Sequence, residues 1–214
     1  SLGTGPRAAS GFDLALTELK EAEDHFFLAE VGSPRGEELL AGLGLTPAGE
    51  AEMAQARAGV AACARQQTNS VDVHGLKEFL YDNFENPHWD EVASRCLSCG
   101  NCASVCPTCF CYAIEDRLDV TGEIAERRRR WDVCFTLEHS YMHGGSIRPS
   151  PRARYRQWLT HKLAAWQDQF GCLGCVGCGR CLTWCPVGID LTQEVKSLID
   201  AGHQGGRADP LADC

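Results

Sequence analysis

Two segments of the chain, CLSCGNCASVCP from Cys96 to Pro107 and CVGCGRCLTWCP from Cys175 to Pro186, follow one pattern, C-x2-C-x2-C-x3-C-P. Each places a glycine, Gly100 or Gly179, directly after its second cysteine. A run of this spacing is a [4Fe–4S] cradle: three thiolates on one tight loop hold three corners of a cubane. The fourth cysteine, followed by Pro, is turned away from its own loop and ligates the other cluster. Two runs therefore predict two [4Fe–4S] clusters that exchange their fourth ligands. Cys96, Cys99, Cys102 and Cys185 are expected to hold one, and Cys175, Cys178, Cys181 and Cys106 the other. Each glycine is expected to let the backbone approach its cluster and aim amide N–H groups at the sulfurs. Sites of this kind carry electrons.

Structural zinc is the competing reading, because CxxC pairs also build four-thiolate zinc sites. Such sites present two separated pairs, whereas here four cysteines run consecutively, twice, each run closed by Pro. A disulfide framework fits less well, since the chain is long for a small secreted scaffold. Six of the 14 cysteines remain outside the two sets: Cys63, Cys109, Cys111, Cys134, Cys172 and Cys214. Cys63, on an Ala-rich helix, reads as a small buried hydrophobe. Cys172 extends the second run upstream and offers a shifted register, but Gly179 and the gap before Cys185-Pro186 favour Cys175. Cys109, Cys111 and Cys134 are expected to pack against the first cluster, the alternative being a third metal site completed by a His; a substrate site there would lack any evident base or oxyanion pocket.

With 29 acidic and 20 basic side chains the formal net charge is −9, which argues against a nucleic-acid binder. No stretch approaches the roughly 18 apolar residues of a membrane span, and no secretory signal opens the chain. Thiols at this density, spaced as metal ligands, point to a cytoplasmic protein. Ser1-Leu2-Gly3-Thr4-Gly5-Pro6 has no initiator Met. It reads either as a loop inside a longer subunit or as the product of ordinary Met removal.

The local pattern predicts a β-hairpin between Phe12 and Val31, turning through Lys20–Asp24, then helices from Pro34 to Leu43 and from Pro47 to about Gln67. Residues 1–70 are thus expected to be a small α/β segment, the C-terminal part of a larger N-terminal domain. Residues 71–202 are expected to form a mainly α domain, an α-helical ferredoxin with two [4Fe–4S] clusters, and 203–214 a flexible tail. Within it helices are expected over Asp72–Asn83, Glu123–Met142, Ser150–Phe170 and from Gly188 to about Ala201. The stripe Tyr155, Leu159, Leu163, Trp166 and Phe170 is read as core. Arg127–Arg130 is read as a solvated helix face making ion pairs. The run Arg148, Arg152, Arg154, Arg156 and Lys162 is read as positive charge able to favour an electron on a nearby cluster or to dock an acidic partner. His139, His143 and His161 lack metal-ligand spacing, and Gly144-Gly145 is no dinucleotide fingerprint.

The runs CLSCGNCASVCPTCFCYAIED, RRRRWDVCFTLEHSYMHGGSIRPSPRARYRQWLTHKLAAW and GCVGCGRCLTWCPVGIDLT together resemble the β subunit of cytoplasmic [NiFe] hydrogenase/sulfur reductase. The same runs resemble the electron-transfer subunit of anaerobic sulfite reductase. The likeness runs from Gly3 to about Leu198. It implies an iron–sulfur electron-transfer subunit with two [4Fe–4S] clusters on the same eight cysteines. In the hydrogenase complexes its partners would be the small and large [NiFe] subunits together with a flavin- and NAD(P)-binding subunit. Family members carry a further region before GTGPRA, and Cys172 is not expected at its place.

Overall fold

The structure, a computed structural model, describes residues 2–3, 5–21 and 24–204. The middle of the turn expected after Lys20, and the tail with Cys214, lie outside the described residues. Contacts divide the chain into two units, Gly3–Ser70 and Val71 onward, the latter also including Leu2.

In the first unit β1 (Leu14–Glu21) and β2 (Asp24–Val31) pair antiparallel, with Leu14 opposite Val31 and Leu19 opposite Phe26. Helix α1 (Pro34–Leu40) starts where the sequence signals it: Ser33 Oγ accepts the Gly36 amide at 3.3 Å, with Pro at the first position. A Cβ on Gly36 would sit 1.9 Å from Asp13 O, so only glycine fits there. Helix α2 (Glu50–Gln66) starts later than Pro47, behind Gly49, and lies against both strands. Cys63 is exposed on α2, which corrects its reading as a buried hydrophobe.

The second unit begins with α3 (Leu76–Asp82) and α4 (His88–Arg95), followed by the first cysteine run with its short α5 (Asn101–Ser104). Next come β3 (Tyr112–Leu118) and β4 (Ala125–Trp131), then the small ladder β5 (Tyr141–Met142) and β6 (Gly145–Ser146). Helix α6 (Pro151–Thr160) passes through a π-turn, His161–Ala165, into α7 (Trp166–Phe170). The second cysteine run follows with α8 (Arg180–Thr183), then α9 (Leu191–Gln204). Among the described residues no helix is long and apolar enough to cross a membrane.

The helix expected over Glu123–Met142 is a hairpin instead. Asp119 closes its turn, accepting the Ile124 amide at 3.0 Å, and Gly122 takes φ 74. The two strands are complementary in charge: Arg127 pairs with Asp116 at 2.7 Å, Arg130 with Glu115 at 2.6 Å, and Arg129 covers the Tyr112 ring at 4.0 Å. These partners, Glu115, Asp116 and Tyr112, lie on the facing strand and not one helical turn away along the chain. The arginine block makes the ion pairs expected of it, but from a strand.

The core joins Leu76 and Leu80 of α3, Trp89 and Val92 of α4, Tyr155, Trp158 and Leu159 of α6, and Leu163 of the π-turn. Leu191, Val195 and Leu198 recur on one face of α9 and complete it. The aromatic stripe fades toward its end: Trp166 is half-buried and Phe170 exposed. Polar ties fix α4 against α9. Glu194 is buried and accepts from His88 Nε2 at 2.8 Å and from Arg95 at 3.0 Å, while Asn86 donates to Leu198 O at 3.0 Å. Since α4 leads straight into Cys96 and α9 follows Cys185, these ties set the two cysteine runs in register.

Candidate metal centre

The two runs share one backbone. Ser98 and Gly177, each the residue before the second cysteine, have φ 51 and 69; Gly100 and Gly179, just after it, have φ 76 and 74. The hydrogen bonds repeat as well. Gly100 O accepts the amides of Ala103 and Ser104 at 3.0 Å, and Gly179 O those of Leu182 and Thr183 at 3.1 Å. Cys106 N donates to Ala103 O at 3.2 Å and Cys185 N to Leu182 O at 3.1 Å. Two left-handed residues around the second cysteine curl each loop, and glycine adopts that conformation without a Cβ penalty. In this matched backbone Cys175, not Cys172, stands where Cys96 stands; Cys172 is exposed behind Gly171.

Helices α5 and α8 face one another, which brings the runs together. Cys96, Cys99, Cys102, Cys181 and Cys185 line a common hollow with Phe135, Tyr155, Trp158 and Ile189. Two thiols already accept backbone amides, Cys96 Sγ from Ser98 at 3.4 Å and Cys185 Sγ from Ile189 at 3.3 Å. On the other side Cys106 Sγ lies 3.1 Å from both Thr108 Oγ1 and Lys162 Nζ, and Thr108 Oγ1 donates to Gly174 O, next to Cys175, at 2.5 Å.

Electrostatics group the thiols in the same way. Burial, then the neighbouring charges of Cys96, Cys181 and Cys99, pushes the Cys102 thiol far up. Burial and then Cys175, Cys178 and Cys106 push Cys181 up to about 11, though the Leu182 amide works against this. Cys175 is raised by burial, opposed by the Gly177 amide and Lys162. Cys106 goes the other way: the Cys109 thiol donates to it, and Thr108 and Lys162 help hold its pKa below the ordinary thiol value, against burial. The same contact, with burial, raises Cys109. As free thiols most of these groups stay protonated at neutral pH, so a metal that binds here displaces protons.

Residues 95–189 match the 4Fe–4S dicluster domain family, and a second model of a 4Fe–4S dicluster domain matches residues 54–110, overlapping the first at the first cysteine run. The segment 95–189 is thus similar to known 4Fe–4S dicluster domains. The chain is also 34% identical over 208 residues to sulfhydrogenase 2 subunit beta of Pyrococcus furiosus, a match that covers 96% of the chain and 59% of that relative. No solved structure matches the chain.

A dicluster domain takes two [4Fe–4S] clusters, and the residues around the hollow at Cys96, Cys99, Cys102 and Cys185 fit one of them. Tyr155 OH and Trp158 Nε1 are buried without a hydrogen-bond partner, and both residues line the hollow with the cysteines. Such donors need acceptors, which sulfide and thiolate sulfur supply. Among the described residues no three His, Cys, Asp or Glu side chains converge as a single metal ion requires. Five of the thiols, those of Cys96, Cys99, Cys102, Cys181 and Cys185, line a hollow instead.

Several expectations about the other residues change. Of the basic run, Lys162 is 4% exposed, so it cannot dock a partner and stands as charge inside the domain. Arg154 is buried and donates to Phe135 O at 2.9 Å, while Arg152 and Arg156 pair with Glu85 at 2.9 and 3.1 Å. Cys134 is buried in the core, and burial pushes its thiol up to about 11. Cys109 sits beside Cys106. His139 Nδ1 donates to the Asp132 carboxylate at 2.8 Å, an ordinary hydrogen-bonding role. The sequence contained a signal for Lys162, a lysine set between Leu159 and Leu163 on an apolar stripe. Nothing in it marked Ser98 as left-handed.

Proposed function

We propose that the chain is the iron–sulfur electron-transfer subunit of a multi-subunit oxidoreductase, with Cys96, Cys99, Cys102 and Cys185 on one [4Fe–4S] cluster and Cys175, Cys178, Cys181 and Cys106 on the other. The observation that supports this reading most is where the fourth cysteine of each run lies. Cys185 lines the hollow of the first loop, and Cys106 lies across Thr108 and Gly174 from the start of the second. The matched backbone, beginning at Cys96 and Cys175, supports the same register. The clusters supply one-electron chemistry; the chain's residues bury them, aim amide and side-chain donors at sulfur, and so set their potentials.

Similarity to a sulfhydrogenase β subunit supports a place in a [NiFe] hydrogenase/sulfur reductase complex using NAD(P)(H), in the cytoplasm. Its neighbours there would be the small and large [NiFe] subunits and a flavin- and NAD(P)-binding subunit. The chain spans 59% of that relative, so these assignments belong to the proposal. Residues 71–202 would hold the clusters and 1–70 would serve as a separate α/β segment. Anaerobic purification from the native host tests the whole reading. It expects a brown protein bleached by dithionite, about eight irons per chain, and co-purifying [NiFe] and flavin subunits. Zinc in place of iron would overturn it, and a co-purifying siroheme protein would move it to the sulfite reductase branch.

A further inference from the structure

We propose that Lys162 makes the cluster ligated by Cys106 the more readily reduced of the two, so that an electron entering the chain settles there. The inference rests on the ligand sets proposed above. Its geometry is unusual for a lysine. Nζ lies 3.1 Å from Cys106 Sγ, 3.2 Å from Thr108 Oγ1, 3.6 Å from Cys109 Sγ and 3.4 Å from Gly174 O. All four are acceptors, as an ammonium with three protons and no lone pair requires. The Trp158 ring adds a face at 5.7 Å.

Among the described residues no carboxylate forms an ion pair with Lys162. A buried cation without a counter-charge is costly, so the negative charge that balances it here comes from sulfur. Proton-donating contacts to cluster sulfur and nearby positive charge both favour the reduced state, and more so away from water.

The backbone is built to hold this side chain. Lys162 lies in the π-turn, a device found at functional positions in helices. Its carbonyl accepts the Gly174 amide at 2.8 Å while Gly174 O receives Nζ. Gly174 stands directly before Cys175, and a Cβ there would meet the Trp166 ring at 2.6 Å. Lysine, first-loop cysteine and second-loop entry are thus clamped together. The hollow lined by Cys96, Cys99, Cys102 and Cys185 offers no equivalent cation: its lining besides cysteine is Leu97, Phe135, Tyr155, Trp158 and neighbours, none of them basic.

The test is a potentiometric titration of the full chain followed by EPR, with iron content measured in parallel. Lys162→Met removes charge and donor, Lys162→Gln keeps a donor without charge, and Lys162→Arg keeps both. One midpoint is expected to fall in the Met and Gln variants by at least about tenfold in the reduction equilibrium, about 59 mV for one electron. The other midpoint should stay, and Arg should restore the first. Cys178→Ala, which perturbs the cluster paired with Cys106, identifies the signal that moved. Should the Met variant lose iron, the Gln and Arg pair carries the same comparison. Unchanged midpoints at full iron content, or a shift falling on the Cys96 cluster, would overturn the proposal alone. A wild-type chain devoid of iron would overturn the ligand reading beneath it.

Discussion

Glu194 receives Arg95 Nη2 at 3.0 Å on both of its carboxylate oxygens, and through that contact the helix that ends at Cys96 is bound to the helix that follows Cys185. His88 Nε2 meets the same carboxylate at 2.8 Å. The side chain of Glu194 is nearly inaccessible, so these two partners replace its water. Removing it leaves His88 Nε2 without its partner, although Nδ1 keeps Glu91 at 2.6 Å, and loosens the register of the two cysteine loops. Glu194→Ala is expected to destabilise the second unit by about 2–4 kcal/mol, near the lower end for breaking a buried pair because Arg95 is partly exposed. Denaturant unfolding monitored by circular dichroism gives the number. A loss below about 1 kcal/mol would mean that the apolar face of α9 holds the register alone.

Asp132 organises the loop that delivers Phe135 to the hollow. It accepts the Val133 amide at 2.9 Å, the Thr136 hydroxyl and His139 Nδ1 at 2.8 Å. Burial alone would raise its pKa; Thr136, His139 and the Val133 amide more than reverse this and hold it below the usual carboxylate range. A depressed folded-state value means stability that is present above the unfolded carboxylate pKa, about 3.9, and lost as pH falls through the folded value. Asp132→Asn should therefore cost about 1–2 kcal/mol at pH 7, and the gap between variant and wild type should narrow below about pH 4. Thermal melts of the iron-free chain across that window follow it. A gap that stays constant with pH would assign the effect to shape and not to charge.

Ser98 has φ 51 at the place where the second loop has Gly177, and its hydroxyl is buried without a partner. Replacing it with glycine removes a left-handed side chain and an unsatisfied polar atom together. Ser98→Gly is expected to stabilise the folded chain by about 1 kcal/mol. The opposite change, Gly177→Ser, should destabilise it similarly. Paired melts decide, and a destabilised Ser98→Gly would show that the serine makes a contact worth more than the strain.

These residues also mark how far sequence alone reaches. The doubled cysteine pattern carried the folded geometry of both loops, because its spacing and glycines constrain the backbone locally. The stripe Tyr155, Leu159 and Leu163 was legible for the same reason: helical periodicity needs no knowledge of the partner surface. The β3–β4 hairpin was not legible. Arg127–Arg130 favours helix by propensity, and only the acidic strand opposite, reached after the Asp119 turn, makes the extended form favourable. Of the run Arg148 to Lys162, charge along the chain did not say which side chain faces inward; the place of Lys162 between Leu159 and Leu163 did.

The hairpin supplies a further expectation. Its ion pairs are exposed, or half-buried at Glu115 alone, so each adds little. Arg127→Ala should change stability by less than about 1 kcal/mol and leave iron content untouched. Iron analysis with a denaturation curve is enough to check it, and loss of iron would tie the hairpin to the metal centre.

The most direct test of the account is EPR and iron content of the Cys185→Ala variant of the whole chain, purified without oxygen. Cys185 lies in the second run, yet the crossed ligation predicts damage to the cluster on Cys96, Cys99 and Cys102, with the signal of the cluster on Cys175, Cys178 and Cys181 retained. Loss of the latter signal first would contradict the crossing on which the account rests.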